Sequence, residues 1–130
     1  MASHLLDSNI LILALRSQVL ILDLMDDLRL GGVTCISVVT RTEVPAGMHP
    51  HEEARTMELL QSLVSLPATA PIADQAGRWI YQYARRGIQI SFPDSLLAAT
   101  ALAHGLTLVT TNARHFPLDG LQVLPFDAHS

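Results

Sequence analysis

Short, β-branched apolar runs alternate along this chain with longer stretches whose apolar residues recur at helical spacing, and that alternation is what most restricts its fold. Parallel strands need a crossover between them, so the pattern predicts an α/β fold: a central, mostly parallel β-sheet flanked by α-helices. His4–Leu6 reads as the first strand, Asp7-Ser8-Asn9 as capping side chains, and Ile10–Leu15 as the helix they open. A second helix is predicted from about Gln18 to Leu30, with Leu20, Leu24 and Leu28 spaced by four and Gly31-Gly32 closing it.

Val33–Val39 reads as the second strand, and Thr40 as the cap of a short helix that carries Glu43 and has Pro45 in its first turn. Glu52 and Glu53 place acids where a helix begins, and Met57, Leu60, Leu63 and Val64 continue its apolar face, giving a helical hairpin arm. A weak strand near Leu66–Thr69 and a helix from about Ile72 to Arg86, closed by Gly87, come next. Ser91-Phe92-Pro93-Asp94 opens a further helix to His104 that Gly105 stops, since Pro favours the first helical position and Gly the one past the last. Leu106–Thr110 and Leu121–Leu124 complete the strands. No linker, repeat or low-complexity segment interrupts the 130 residues, so a single domain over 1–130 is expected.

Apolar residues make up 49% of the chain and charged residues 15%, which excludes disorder and leaves an apolar surplus for an interface; a homodimer is expected. No apolar run approaches the roughly 18 to 20 residues of a membrane-spanning helix, so a soluble chain with no membrane partner is expected. The start, Met1-Ala2-Ser3-His4-Leu5-Leu6-Asp7, lacks the basic and long apolar regions of a secretory signal, which predicts a cytoplasmic location. A net charge of −4 argues against a nucleic-acid binder held by an overall basic surface. All eight basic residues are arginine, so P-loop NTPases, Schiff-base enzymes and lysine-dependent receiver domains are excluded. The single cysteine, Cys35, has no intramolecular disulfide partner and reads as a small core hydrophobe.

Four oxygen-bearing side chains fall near predicted strand ends: Asp7, Glu43, Asp94 at a helix start, and Asn112. Ligands of open parallel sheets bind outside the carboxyl ends of the strands, at the topological switch point, so these distant segments can surround one point. Acids gathered there repel one another, and a hard divalent cation with oxygen ligands, Mg²⁺ or Mn²⁺, relieves the repulsion. Such an ion supports hydrolysis of a nucleic-acid backbone. Singly, each residue also has a structural explanation: Asp7 as an N-cap, Asp94 as a first-turn acid, Glu43 as a solvated helix residue, Asn112 as a turn former.

The segments Leu5-Leu6-Asp7-Ser8-Asn9-Ile10-Leu11-Ile12, Thr42-Glu43, Arg86-Gly87-Ile88, Pro93-Asp94-Ser95-Leu96-Leu97-Ala98-Ala99-Thr100-Ala101 and Leu108-Val109-Thr110-Thr111-Asn112-Ala113-Arg114-His115-Phe116 span nearly the whole chain. In order and spacing they resemble the PIN-domain ribonucleases, specifically the VapC-type toxins of bacterial and archaeal toxin–antitoxin pairs. The resemblance implies a metal-dependent endoribonuclease that cleaves RNA until a cognate VapB-type antitoxin blocks it. Asp7, Glu43 and Asp94 match the family's acidic metal positions, and Asn112 the fourth site position, often aspartate in relatives. A further family aspartate, three residues beyond, is His115 here, so one tightly bound metal with at most a weaker second is expected. Ser8, Asn9 and Thr110 are placed to orient ligands or waters behind the acids. With no lysine, Arg85, Arg86 and Arg114, together with His115, are the candidates for substrate or antitoxin contacts.

Three other readings compete. A catalytically weak or inactive PIN-like module that binds RNA or protein is kept open by the neutral Asn112 and by His115. Metal-free catalysis by paired imidazoles is argued against by position: His49 and His51 flank Pro50, His104 ends a helix, His129 is in the tail, and only His115 is near the acids. An aspartyl phosphatase lacks its second aspartate after Asp7-Ser8 and its lysine.

Overall fold

The computed structural model describes residues 3–127, so Met1, Ala2 and His129 lie outside the described residues. Five parallel strands form one sheet in the order β3-β2-β1-β4-β5: β1 (His4–Leu6), β2 (Thr34–Ser37), β3 (Val64–Leu66), β4 (Thr107–Thr110) and β5 (Val123–Pro125). The helices are α1 (Ser8–Leu15), α2 (Val19–Gly31), α3 (Val38–Ala46), α4 (Glu53–Gln61), α5 (Ala70–Ala84) and α6 (Phe92–Ala103). The predicted α/β architecture is therefore the observed one, and the strand order reverses between β1 and β4.

Side chains alternate across a strand, and both faces of this sheet are covered, so adjacent residues serve different cores. Leu5, Cys35 and Leu108 pack with Trp79, Tyr83, Leu97 and Ala98 beneath α5 and α6. Their neighbours Leu6, Ile36 and Val109 pack on the opposite face with Ile10, Ile21, Val44 and Leu60 from α1 to α4. Leu5 pairs with both Cys35 and Leu108, which sets the three central strands level and brings their carboxyl ends together. Cys35 is buried, as a small hydrophobe should be.

Several boundaries differ from the sequence expectation: α5 runs two residues earlier at each end, and β5 starts two residues later. Val38 and Val39 belong to α3 rather than to the second strand, because the Ser37 Oγ accepts from Thr40 N at 3.2 Å and caps the helix there. Thr40 is consequently a fully buried helical residue and not the cap, and Pro45 lies in the last turn of α3 rather than the first. Val64 starts β3 instead of extending α4: the Ser62 Oγ turns back to Leu59 O at 2.7 Å, and Val64 pairs with Cys35. Pro67 lacks the N–H that would prolong β3, so the strand lies two residues earlier than expected, and Thr69 caps α5 instead. A 3₁₀ turn, Pro50–Glu52, joins α3 to α4, which pack together as the expected arm.

Gly105 follows α6 with φ of +65°, and a Cβ built there meets nothing within 4 Å. Its requirement is conformational alone, so Gly105→Ala should lower unfolding stability by about 1 kcal/mol through the left-handed backbone. Urea unfolding checks this; an unchanged midpoint would show that the backbone relaxes.

Candidate active site

Asp7 sits where β1 becomes α1, and its backbone N–H donates to Val109 O at 2.9 Å, extending the ladder to β4 by one residue. The side chain is buried at 8% exposure, and each oxygen accepts one bond: Oδ1 from Ser8 N and Oδ2 from Thr110 Oγ1, both at 2.7 Å. Thr110 ends β4, and its hydroxyl also accepts from Asn112 N at 3.0 Å. One threonine thus orients the buried carboxylate and fixes the turn that carries Asn112, Arg114 and His115.

On the other side, the Ser8 hydroxyl donates to Glu43 Oε1 at 2.6 Å and stands 3.4 Å from Thr40 Oγ1. The early start of α3 brings this about, since capping at Ser37 places Thr40 and Glu43 three residues apart on the face toward α1. Asp94 lies in the first turn of α6, whose N-terminal N–H groups favour an anion, and Ser91 caps that turn. Asp94 Oδ2 is 3.6 Å from His115 Nδ1, too long for a hydrogen bond.

Burial pushes the Asp7 carboxyl above its ordinary value, and the charges of Asp94 and Glu43 push the same way. The bonds from Thr110 and Ser8 oppose the shift without cancelling it. Asp7 is therefore the centre of a mutually repelling acid trio supplied by α1, α3 and α6. No three His, Cys, Asp or Glu side chains stand together at metal-binding distance among the described residues. The donor set nonetheless fits a hard cation, being carboxylate oxygens with lone pairs to spare on Asp7, whose two oxygens carry one bond each.

Of the other residues singled out by sequence, Asn9, Asn112, Arg114 and His115 line a groove of about 720 Å³ beside the acids. Arg85 and Arg86 do not line it. They end α5, where the Arg85 guanidinium bonds Tyr81 Oη at 3.2 Å and Arg86 lies 4.7 Å over the Tyr83 ring. Arg16 and Phe126, which the sequence reading passed over, do line the groove. Arg16 was detectable as the fourth member of the helical stripe Asn9, Ile12, Leu13, Arg16; nothing local marked Phe126.

The raised Asp7 pKa sets a sign for stability. The folded chain holds this proton more tightly than the unfolded chain, so stability is highest below the unfolded carboxylate value and falls as pH rises through the folded one. Asp7→Asn stays neutral, and its amide can donate to Thr110 Oγ1, so without divalent metal it should melt higher than the parent chain at pH 7. That advantage should shrink as pH falls into the ordinary carboxylate range. Thermal melts across pH check it; an Asp7→Asn variant that melts lower at every pH would contradict the assigned cost of the charge.

Comparison with known proteins agrees with this geometry. The PIN domain family profile matches residues 4–121. Ribonuclease VapC10 of Mycobacterium tuberculosis is 40% identical over 114 residues, covering 88% of this chain and 86% of that protein. The structure of VapBC2 from Rickettsia felis, bound to a DNA fragment of its promoter, superposes with a TM-score of 0.84 at 21% identity, over 96% of this chain and 99% of that one. A toxin–antitoxin complex from Klebsiella pneumoniae superposes with a TM-score of 0.76 at 26% identity, over 95% of this chain and 98% of that one. With the family profile spanning β1 to the approach of β5, and a relative 40% identical over 88% of the chain, this chain belongs to the PIN domain family.

Proposed function

We propose that this chain is a metal-dependent endoribonuclease, the toxin of a type II toxin–antitoxin pair, which hydrolyses RNA phosphodiester bonds until a VapB-type antitoxin occupies it. The observation that carries the reading is the continuous set of bonds from Asn112 through Thr110 to Asp7, and from Ser8 to Glu43, at the switch point of the sheet. The identity to a ribonuclease supports the reaction class, and the toxin–antitoxin neighbours support the partner.

In this reading Asp7, Glu43 and Asp94 hold Mg²⁺ or Mn²⁺. When bound, the ion lowers the pKa of an attacking water and offsets the charge that builds on the phosphate. The chain's residues do the rest. Thr110 and Ser8 hold Asp7 and Glu43 in place so that little reorganisation accompanies binding. The helix start under Asp94 favours a negative charge at the far side of the site. Asn112, neutral and half-buried, positions water or a phosphate oxygen without adding to the repulsion. Leu30 is 88% exposed and Phe92 69% exposed, apolar surface of the kind that a second copy or an antitoxin segment covers, which supports a homodimer.

The neutral Asn112 and the spread of the acids favour one rival, a PIN-like module that binds RNA or protein without cutting. Incubation of antitoxin-free chain with a mixed pool of structured and unstructured RNAs separates the two. Cleavage is expected with Mn²⁺ or Mg²⁺, not with EDTA, and Asp94→Asn should lower its rate by about a hundred-fold or more. Cleavage that survives both EDTA and Asp94→Asn would overturn the metal mechanism, and silence under every ion would favour the binding module.

A further inference from the structure

One nitrogen donor lies beside the oxygens of the acid site. His115 Nδ1 is 3.6 Å from Asp94 Oδ2, and among the described residues the imidazole has no other hydrogen-bond or ion-pair partner. The ring is 61% exposed, so packing does not dictate its position; the backbone does. His115 ends the 3₁₀ turn Ala113–His115, and its N–H donates to Asn112 O at 2.9 Å, while Asn112 N–H donates to Thr110 Oγ1. Thr110 also donates to Asp7 Oδ2, so one hydroxyl braces both a carboxylate and the turn that carries the imidazole. The other described histidines are elsewhere: His4 opens β1 at the end of the sheet away from the acids, His49 and His51 flank Pro50 between α3 and α4, and His104 caps the far end of α6.

A separation of 3.6 Å is too long for a hydrogen bond and close to that of two ligands on one ion. Donors that each stand about 2.1 Å from a small divalent cation are roughly 3.0 Å apart at octahedral angles and roughly 3.4 Å apart at tetrahedral ones. An exposed ring closes the difference by a small rotation about its side-chain bonds. Asp94 in turn belongs to the acid trio centred on Asp7, so the imidazole stands at the edge of a set of carboxylates and not beside a lone one. Carboxylate oxygens with one imidazole nitrogen separate the two ions that the acids alone admit. Mg²⁺ is held by oxygen and gives up its water reluctantly, whereas Mn²⁺ suits carboxylate and, as a first-row transition ion, also takes imidazole. An ion pair between His115 and Asp94 would bring the two groups as close, but it would compete with a cation, and removing His115 would then strengthen metal binding.

We infer that His115 is a nitrogen ligand to the cation held at Asp7, Glu43 and Asp94, and that it makes the site selective for Mn²⁺ over Mg²⁺. The inference rests on the metal site of the reading above and adds to it a fourth ligand and a choice of ion.

The test is metal binding by the full chain without RNA, read by electron paramagnetic resonance. The sharp signal of free Mn²⁺ broadens on binding, so a titration gives the Mn²⁺ affinity and competition with Mg²⁺ gives the other, while spin-echo modulation of the bound ion reports a ligating nitrogen. Mn²⁺ should bind about ten-fold or more tighter than Mg²⁺, and its echo should carry nitrogen modulation. His115→Gln, at an exposed position, should weaken Mn²⁺ binding by about ten-fold and remove the modulation while leaving Mg²⁺ affinity within about two-fold. His115→Asp puts oxygen in place of nitrogen, so it should strengthen Mg²⁺ binding and erase the preference.

Bound Mn²⁺ without nitrogen modulation would overturn the assignment, and so would no Mn²⁺ binding at all. Modulation that survives His115→Gln would place the ion at another histidine, and tighter Mn²⁺ binding by His115→Gln would reveal a competing ion pair; either result also overturns it. The two readings fail separately. If the chain cleaves RNA with a metal that Asp94→Asn loses, yet shows no nitrogen signal, the nuclease stands and the ligand is lost; if the nitrogen signal and the Mn²⁺ preference are present but no RNA is cleaved, the reverse holds.

Discussion

A carboxylate buried at the end of a strand must find donors within reach, and in this chain Asp7 finds them in two places that the fold is obliged to bring together. Its Oδ1 takes the first free N–H of α1, and its Oδ2 takes the hydroxyl of Thr110, 103 residues away along the chain. Leaving either oxygen unpaired in so dry a position would cost on the order of 1–3 kcal/mol. The level register of β1 against β4, the turn after β4 and the entry into α1 are all consistent with that one pair of bonds.

The same bonds explain why the site is acidic and yet folded. Burial and the neighbouring charges of Glu43 and Asp94 push the Asp7 carboxyl above its ordinary value, while the bonds from Thr110 and Ser8 favour the ion. The folded chain therefore carries an electrostatic tension that a divalent cation would relieve in the proposed reading, and the bonds that hold Asp7 and Glu43 need no metal. Ser8 to Glu43 and Thr110 to Asp7 form without an ion, so the placing of these two acids does not depend on one.

How much of this was legible in the sequence follows from how local each determinant is. The start of α6 is written in Ser91-Phe92-Pro93-Asp94, its end in Gly105, and β4 in a compact β-branched run; all three stand within a residue or so of expectation. Val38 and Val39 misled because β-propensity is weaker than a single cap, the bond from Thr40 N to Ser37 Oγ. The acids were legible as a set because each follows a strand or opens a helix, but their common meeting point depends on sheet order. Phe126 was illegible for that reason: only the placement of β5 beside β4 swings it across from α1. Arg85 and Arg86 misled in the opposite sense, being near Asp94 in sequence while their guanidiniums rest on Tyr81 and Tyr83.

The central proposal is that Asp7, Glu43 and Asp94 together hold one cation. Crystals of the full chain grown with Mn²⁺, with diffraction collected to locate manganese by its anomalous scattering, test it most directly. The account predicts an anomalous peak at ligand distance from all three carboxylates, with the Thr110 and Ser8 bonds unchanged. A peak elsewhere, or a map without one while the three acids stay apart, would contradict it.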